Sequence, residues 1–151
     1  MGAHVILSNL QAGDILATRN ANERDNASPG YWNHLGVYVG HDLMVEGQRV
    51  PGRVICSDLR EFIARYPEIM VLRLRDGDGR AIADEARRHV GTPFWGLASL
   101  PRRLRRTERG NNCVSVVRRS VAVPSALGGD PGWRTPDDAV ADLSFEVWVG
   151  K

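Results

Sequence analysis

Three side chains in this sequence have the types and the local context of a nucleophilic site. Cys113 directly follows Asn111 and Asn112 at a predicted helix start, where backbone N–H groups and the helix dipole favour a thiolate. His34 begins an apolar strand, and Glu46 ends the next strand twelve residues later. A hairpin would bring His34 and Glu46 together, so the carboxylate would orient the imidazole while the other ring nitrogen faces the thiol. The pattern therefore predicts a Cys–His–acid triad.

Each of these residues also has an ordinary structural interpretation. A cysteine in an apolar run often fills the core, a histidine before a strand is often a polar edge residue, and a glutamate before a glycine often belongs to a turn. Cys56 lies in a plain strand with no capping residue before it, which favours the structural interpretation there. A zinc site of Cys113, His34 and Glu46 is a further alternative, but the close ligand pairs typical of zinc are missing. Neither a metal ion nor another cofactor is expected.

The elements that would position the three residues follow from local patterns. The segment from Cys113, which follows Gly110 and the two asparagines, is assigned as a helix rather than a strand because these are capping residues, although its β-branched residues favour a strand. Short strands joined by hairpins dominate, which predicts an α+β fold with an antiparallel sheet. Strands are predicted at 12–19, 35–39, 43–46, 53–57, 69–75 and 144–150, with a turn at 40–42. Helices are predicted at 59–66 after the capping residue Asp58, at 80–91 with Ile82, Ala86, His89 and Val90 inside, at 113–123 and at 135–143.

Length and composition set the broad class. The 151 residues are 42% hydrophobic and 25% charged, which indicates one globular domain over residues 1–151. A net charge of +2 gives no indication of a nucleic-acid partner. Two cysteines exclude a disulfide scaffold. Neither a signal-peptide pattern nor an apolar stretch of about 18 residues is present, so a cytoplasmic location is expected, although export without a signal peptide would leave the same sequence.

Motifs in a fixed order run through nearly the whole chain. They are Gly13, Asp14, Ile15 and Leu16; Asn33, His34, Gly36 and Val37; Val45 and Glu46; Val54, Leu59 and Phe62; Cys113; and Thr135, Pro136 and Asp138. This set resembles the circularly permuted NlpC-type papain-like hydrolases, the YiiX/YaeF-like group. The resemblance implies a permuted papain-like fold in which about five or six antiparallel strands pack against three or four helices.

The same resemblance implies a cysteine amidase or peptidase acting on a peptide or peptidoglycan-like amide. Cys113 would be the nucleophile, His34 the acid and base, and Glu46 the orienting acid. Two departures concern the substrate: Val114 and Ser115 follow the cysteine with no carboxylate after them, and Phe94 replaces a tyrosine. We expect substrate contacts from Trp32, Asn33, Trp95 and Arg109, with core packing as the alternative for the tryptophans.

Five arginines lie between Arg102 and Arg109, shortly before the proposed nucleophile. Three interpretations of this cluster stay open. The arginines could form a solvated face, or they could bind a carboxylate or phosphate of the substrate. They could also bind an anionic membrane surface through Arg102, Arg103, Arg105 and Arg106. The membrane interpretation gives a second hypothesis, a lipid-directed thiol acyltransferase or esterase, because the related lecithin retinol acyltransferase family shares the His-first order. A catalytically inactive binding module of the same fold is the third. Nucleic acid ranks last, since no aromatic residue is interleaved with the arginines.

Overall fold

The structure is a computed structural model that describes residues 8–19, 30–48, 52–93 and 113–150. Within these ranges, four helices accompany one open, six-stranded antiparallel sheet of order β4-β3-β2-β1-β5-β6. The predicted α+β class and antiparallel sheet are confirmed. The strands are β1 Ile15–Arg19, β2 His34–Gly40, β3 Leu43–Gln48, β4 Arg53–Asp58, β5 Glu68–Leu74 and β6 Phe145–Gly150; the helices are α1 Leu59–Arg65, α2 Gly79–Arg88, α3 Cys113–Val121 and α4 Pro136–Val140.

The β2–β3 hairpin is the element that sets the register around His34 and Glu46. The predicted three-residue turn is a two-residue turn, because Gly40 still belongs to β2. His41 and Asp42 have φ angles of 53° and 58°, as the type I′ turn that fits the twist of a hairpin requires. In the resulting register, Gly36 lies opposite Glu46.

One face of the sheet carries the larger part of the core. The alternate β2 residues Leu35, Val37 and Val39 point to this face and pack with α2 and α3. The segment from Cys113 is helical, as predicted, and its valines enter the same core because packing overrides their modest helix propensity. The nucleophile candidate therefore begins a helix that the core holds in place.

The opposite face is covered by α1. Asp58 caps this helix as predicted, with its side chain accepting hydrogen bonds from the N–H groups of Arg60 and Glu61. Leu59, Phe62 and the following Tyr66 are buried in a second, smaller cluster with Met44 of β3. Because α1 leaves β4 directly, it lies across the part of the sheet that carries Glu46.

Several predicted boundaries needed correction. The helix predicted at 80–91 spans Gly79–Arg88, so Val90 lies beyond it and is 42% exposed instead of buried. The helix predicted at 135–143 ends at Val140, although Thr135 and Asp138 form the capping box that fixes its start. The first strand begins at Ile15, since the residues before it form a turn.

The Gly-Asp motif before β1 has a packing role. A Cβ atom on Gly13 would lie 2.2 Å from the carbonyl oxygen of Gly79, so only glycine allows the start of β1 to contact the start of α2. Asp14 is buried and accepts hydrogen bonds from Arg73 of β5, with Nε–Oδ1 at 2.8 Å and Nη2–Oδ2 at 2.7 Å. The motif therefore joins β1 to its neighbours and lies outside the candidate site.

Candidate active site

His34 and Glu46 form a buried pair on neighbouring strands. His34 is the first residue of β2, and its Nε2 lies 3.2 Å from Oε1 of Glu46 on β3. Both residues are 1% exposed. The hairpin register puts Gly36 opposite Glu46, so the carboxylate reaches His34 diagonally along the same face.

Cys113 adds the third member from a different element. It begins α3 and hydrogen-bonds to the His34 side chain. Because Glu46 engages Nε2, Nδ1 is the ring nitrogen left for the thiol. Cys113 is 8% exposed, more than either partner. The three residues predicted as a triad thus lie together in the order Cys113–His34–Glu46.

The electrostatics of the pair favour its charged form. Burial alone would lower the pKa of His34, but the hydrogen bonds and charges of Cys113 and Glu46 outweigh it and raise that pKa from 6.5 to about 10. Burial would likewise raise the pKa of Glu46, but His34, then Arg65 and Ser57, lower it from 4.5 to about 2. The site therefore favours a charged imidazolium at His34 beside an ionised Glu46 carboxylate.

Glu46 has partners that sequence analysis missed. Arg65 at the end of α1 donates from Nη2 to Oε2, and Ser57 of β4 donates to the same oxygen. Gln48 donates to Oε1 at 3.4 Å. In the sequence, Arg65 is one of the polar residues of a predicted amphipathic helix. No local signal marks its contact with Glu46, because its reach to β3 depends on tertiary packing.

Two aromatic side chains, Phe62 of α1 and Tyr66 directly after it, pack against the imidazole. The Tyr66 ring stacks on His34 with centroids 5.7 Å apart and an interplanar angle of 23°, and Phe62 lies at 6.1 Å. A Cβ on Gly36 would come within 3.0 Å of the Phe62 ring. The glycine two residues after the histidine therefore leaves the space that Phe62 occupies.

The segment before His34 is fixed by Asp137 of α4. Its carboxylate accepts hydrogen bonds from the backbone N–H groups of Tyr31 and Trp32, both at 2.8 Å. The Asn33 N–H donates to the Thr18 carbonyl at 2.9 Å. The motif in the sequence pointed to Asp138, but Asp138 serves the helix cap and Asp137 makes the contact with the segment before β2.

The predicted substrate-binding residues are only partly within the described ranges. Trp32 is buried in the same core cluster as Cys113, which favours packing as its main role, and Asn33 is half-buried between Trp32 and His34. Trp95 and Arg109 lie outside the described residues, as do Phe94 and the cluster Arg102, Arg103, Arg105 and Arg106. Their substrate and membrane roles stay predictions.

The two cysteines differ in their surroundings. Both are free, and Cys56 is exposed on β4 whereas Cys113 is buried beside His34. Among residues 8–19, 30–48, 52–93 and 113–150, no three His, Cys, Asp or Glu side chains are arranged to hold a metal ion. In the same part of the chain, no helix combines the length and the apolar character needed to cross a bilayer.

Comparisons with known proteins identified no relative of this chain. No family model matches the chain, and no curated protein or solved structure matches it either.

Proposed function

We propose that this chain is a cysteine hydrolase, an amidase or peptidase, with a permuted papain-like fold. The observation that carries the proposal is the buried hydrogen-bonded series Cys113–His34–Glu46, drawn from α3, β2 and β3. A triad is defined by geometry and not by chain order, so a histidine that precedes its cysteine in the sequence serves equally well. Contact between the thiol and the imidazole supports this over the inactive binding module.

In the first half of the reaction, the Cys113 thiolate attacks the carbonyl carbon of a peptide-like amide. A C–S bond forms, and the carbonyl electron pair moves to oxygen. The first N–H groups of a helix have no partner within the helix, so the Cys113 N–H is available to stabilise this oxyanion. The C–N bond then breaks as the imidazolium of His34 protonates the leaving amine, and a thioester remains.

In the second half, neutral His34 takes a proton from water, which attacks the thioester. The C–S bond breaks, the carboxylic acid leaves, and the proton held by His34 restores the thiolate–imidazolium pair with Cys113. Glu46 keeps Nε2 engaged throughout, so Nδ1 stays directed at the reacting atoms.

Hydrolysis of a panel of short peptide amides, including peptidoglycan stem peptides, tests the proposal. Wild type and Cys56→Ala should turn over the same substrates, and Cys113→Ala should lose about 10³-fold or more in kcat/KM. Intact-mass measurement should detect a thioester on wild type and on Cys56→Ala, and none on Cys113→Ala. Hydrolysis that survives in Cys113→Ala would contradict the assignment.

A lipid-directed thiol acyltransferase or esterase is the second candidate. It uses the same nucleophile and is favoured by one observation, the arginine cluster that precedes Cys113 with leucines interleaved. The difference lies in the substrate and the acceptor, and membrane binding separates the two candidates.

A further inference from the structure

The two oxygens of the Glu46 carboxylate have separate partners. Oε1 faces His34 at 3.2 Å and Gln48 at 3.4 Å. Oε2 accepts from Arg65 and Ser57. One oxygen therefore serves the imidazole, while the other is held by groups from α1 and β4.

Arg65 reaches this buried carboxylate from the solvent side. Its side chain is 34% exposed, whereas that of Glu46 is fully buried. The guanidinium carbon lies 5.5 Å from the ring centroids of both Phe62 and Tyr66, the two rings that flank His34. Its Nε also donates to the Glu61 carbonyl at 3.4 Å, so the guanidinium group is held by Glu61 as well as by Glu46.

The charges at the site balance only when Arg65 is included. The charged groups that contact Glu46 within the described residues are His34 from β2 and Arg65 from α1, while Ser57 and Gln48 are neutral donors. A Cys113 thiolate, the His34 imidazolium and the Glu46 carboxylate sum to one negative charge in a buried site. Arg65 brings the sum to zero, and uncompensated buried charge is costly.

We propose that Arg65 is a positioning residue of the triad, which holds Oε2 of Glu46 and keeps the carboxylate ionised and oriented so that Oε1 faces His34. The inference rests on the proposed function. Without Arg65 the carboxylate takes up a proton at higher pH, because an adjacent positive charge favours the ionised form. A protonated Glu46 no longer stabilises the imidazolium, so the thiolate–imidazolium pair would be lost earlier on acidification.

The test is the pH dependence of Cys113 alkylation by iodoacetamide in a Cys56→Ser background. In Arg65→Gln the acid limb of the rate profile should move upward by about one pH unit. Arg65→Lys, which keeps the charge but loses the planar fork, should show a smaller shift and serves as the test if Arg65→Gln does not fold. Arg60→Gln is the matched control, since Arg60 is an exposed arginine of the same helix, and its profile should coincide with wild type.

A purely structural role would lower the melting temperature and the plateau rate without moving the acid limb. An acid limb of Arg65→Gln that coincides with wild type therefore overturns the proposal. A second readout does not depend on thiol reactivity: ¹³C NMR of the Glu46 carboxyl should show titration about one unit higher in Arg65→Gln. If that shift is seen while wild-type Cys113 is unreactive, the hydrolase proposal fails and the role of Arg65 in holding Glu46 stands.

Discussion

Glu46 is nearly inaccessible to solvent and yet accepts hydrogen bonds from four side chains. A buried carboxylate is tolerated only when such partners replace its lost hydration. The same contacts make the stability of the fold depend on pH in a defined direction. Glu46, with its pKa lowered to about 2, stabilises the fold above pH 4.5, and this contribution disappears as the pH falls toward 2.

The pKa of His34 is shifted in the opposite direction, so its contribution to stability changes with pH in the opposite direction. Its pKa is raised from 6.5 to about 10, so its contribution is complete below pH 6.5 and is lost as the pH rises through about 10. The two residues together predict greatest stability of the site between about pH 4.5 and 6.5.

Glu46→Gln tests this linkage. At pH 6 we expect a loss of about 1–3 kcal/mol in the free energy of unfolding, because Arg65 and His34 lose a charged acceptor. The difference from wild type should shrink at pH 3, where wild-type Glu46 begins to lose its own contribution. Urea unfolding at both pH values measures it.

The control for that experiment is Glu61→Gln, a neutralised glutamate on the exposed side of α1. Its effect should be smaller than that of Glu46→Gln at pH 6. An equal loss at pH 6 and pH 3 for Glu46→Gln would show that the carboxylate charge is not the cause.

At the scale of the elements, α1 and the β2–β3 hairpin together orient the histidine. The hairpin brings Glu46 to His34, while Phe62 of α1 and Tyr66 directly after that helix pack their rings against the imidazole. Gly36 is the point of contact between them, because the Phe62 ring occupies the space where a side chain would stand.

Gly36→Ala should therefore disturb both stability and site geometry. The added methyl would lie 3.0 Å from the Met44 and Phe62 side chains. We expect a loss of about 1–3 kcal/mol from overpacking, together with slower alkylation of Cys113 as Phe62 moves against His34. Thermal unfolding and iodoacetamide kinetics give the two readouts.

Gly129→Ala is the matched control for this substitution. A Cβ there has no heavy atom within 4 Å, so both readouts should stay close to wild type. Unchanged alkylation in Gly36→Ala would mean that Phe62 does not orient the imidazole.

Sequence patterns predicted the elements better than the contacts between them. The hairpin, the Asp58 cap and the helix at Cys113 depend on local signals, and all three are present. The Arg65–Glu46 ion pair and the Asp137 contact join residues 19 and more than 100 positions apart. No local period encodes such pairs, since they arise only when α1 and α4 pack against the sheet.

For the molecule as a whole, the site forms where the two layers meet. His34 stacks on rings of the smaller cluster, whereas Cys113 belongs to the larger one on the opposite face. At the start of β2, Cys113 of α3 from one layer thus meets His34, whose side chain faces the other layer. Such a junction does not depend on the order in which the chain visits its elements.

Membrane association tests the second candidate function at this scale. Co-sedimentation with anionic liposomes should separate wild type from a variant with Arg102, Arg103, Arg105 and Arg106 changed to Ser. If the chain acts on lipids, wild type should bind and the variant should lose about 1 kcal/mol of binding free energy per arginine at low salt. The amidase proposal expects no binding by either protein. Zwitterionic liposomes are the control for apolar adsorption.

The central claim is that contact with His34 makes Cys113 a nucleophile, and the rate of its alkylation at pH 6 tests this most directly. Peptide-level mass spectrometry can follow Cys113 and Cys56 in one reaction, with Cys56 as the internal reference for an exposed thiol. We expect Cys113 to react at least about tenfold faster, since an ordinary thiol is almost fully protonated at that pH, and His34→Ala should abolish the excess. A Cys113 that reacts no faster than Cys56, or equally fast in His34→Ala, would contradict the account.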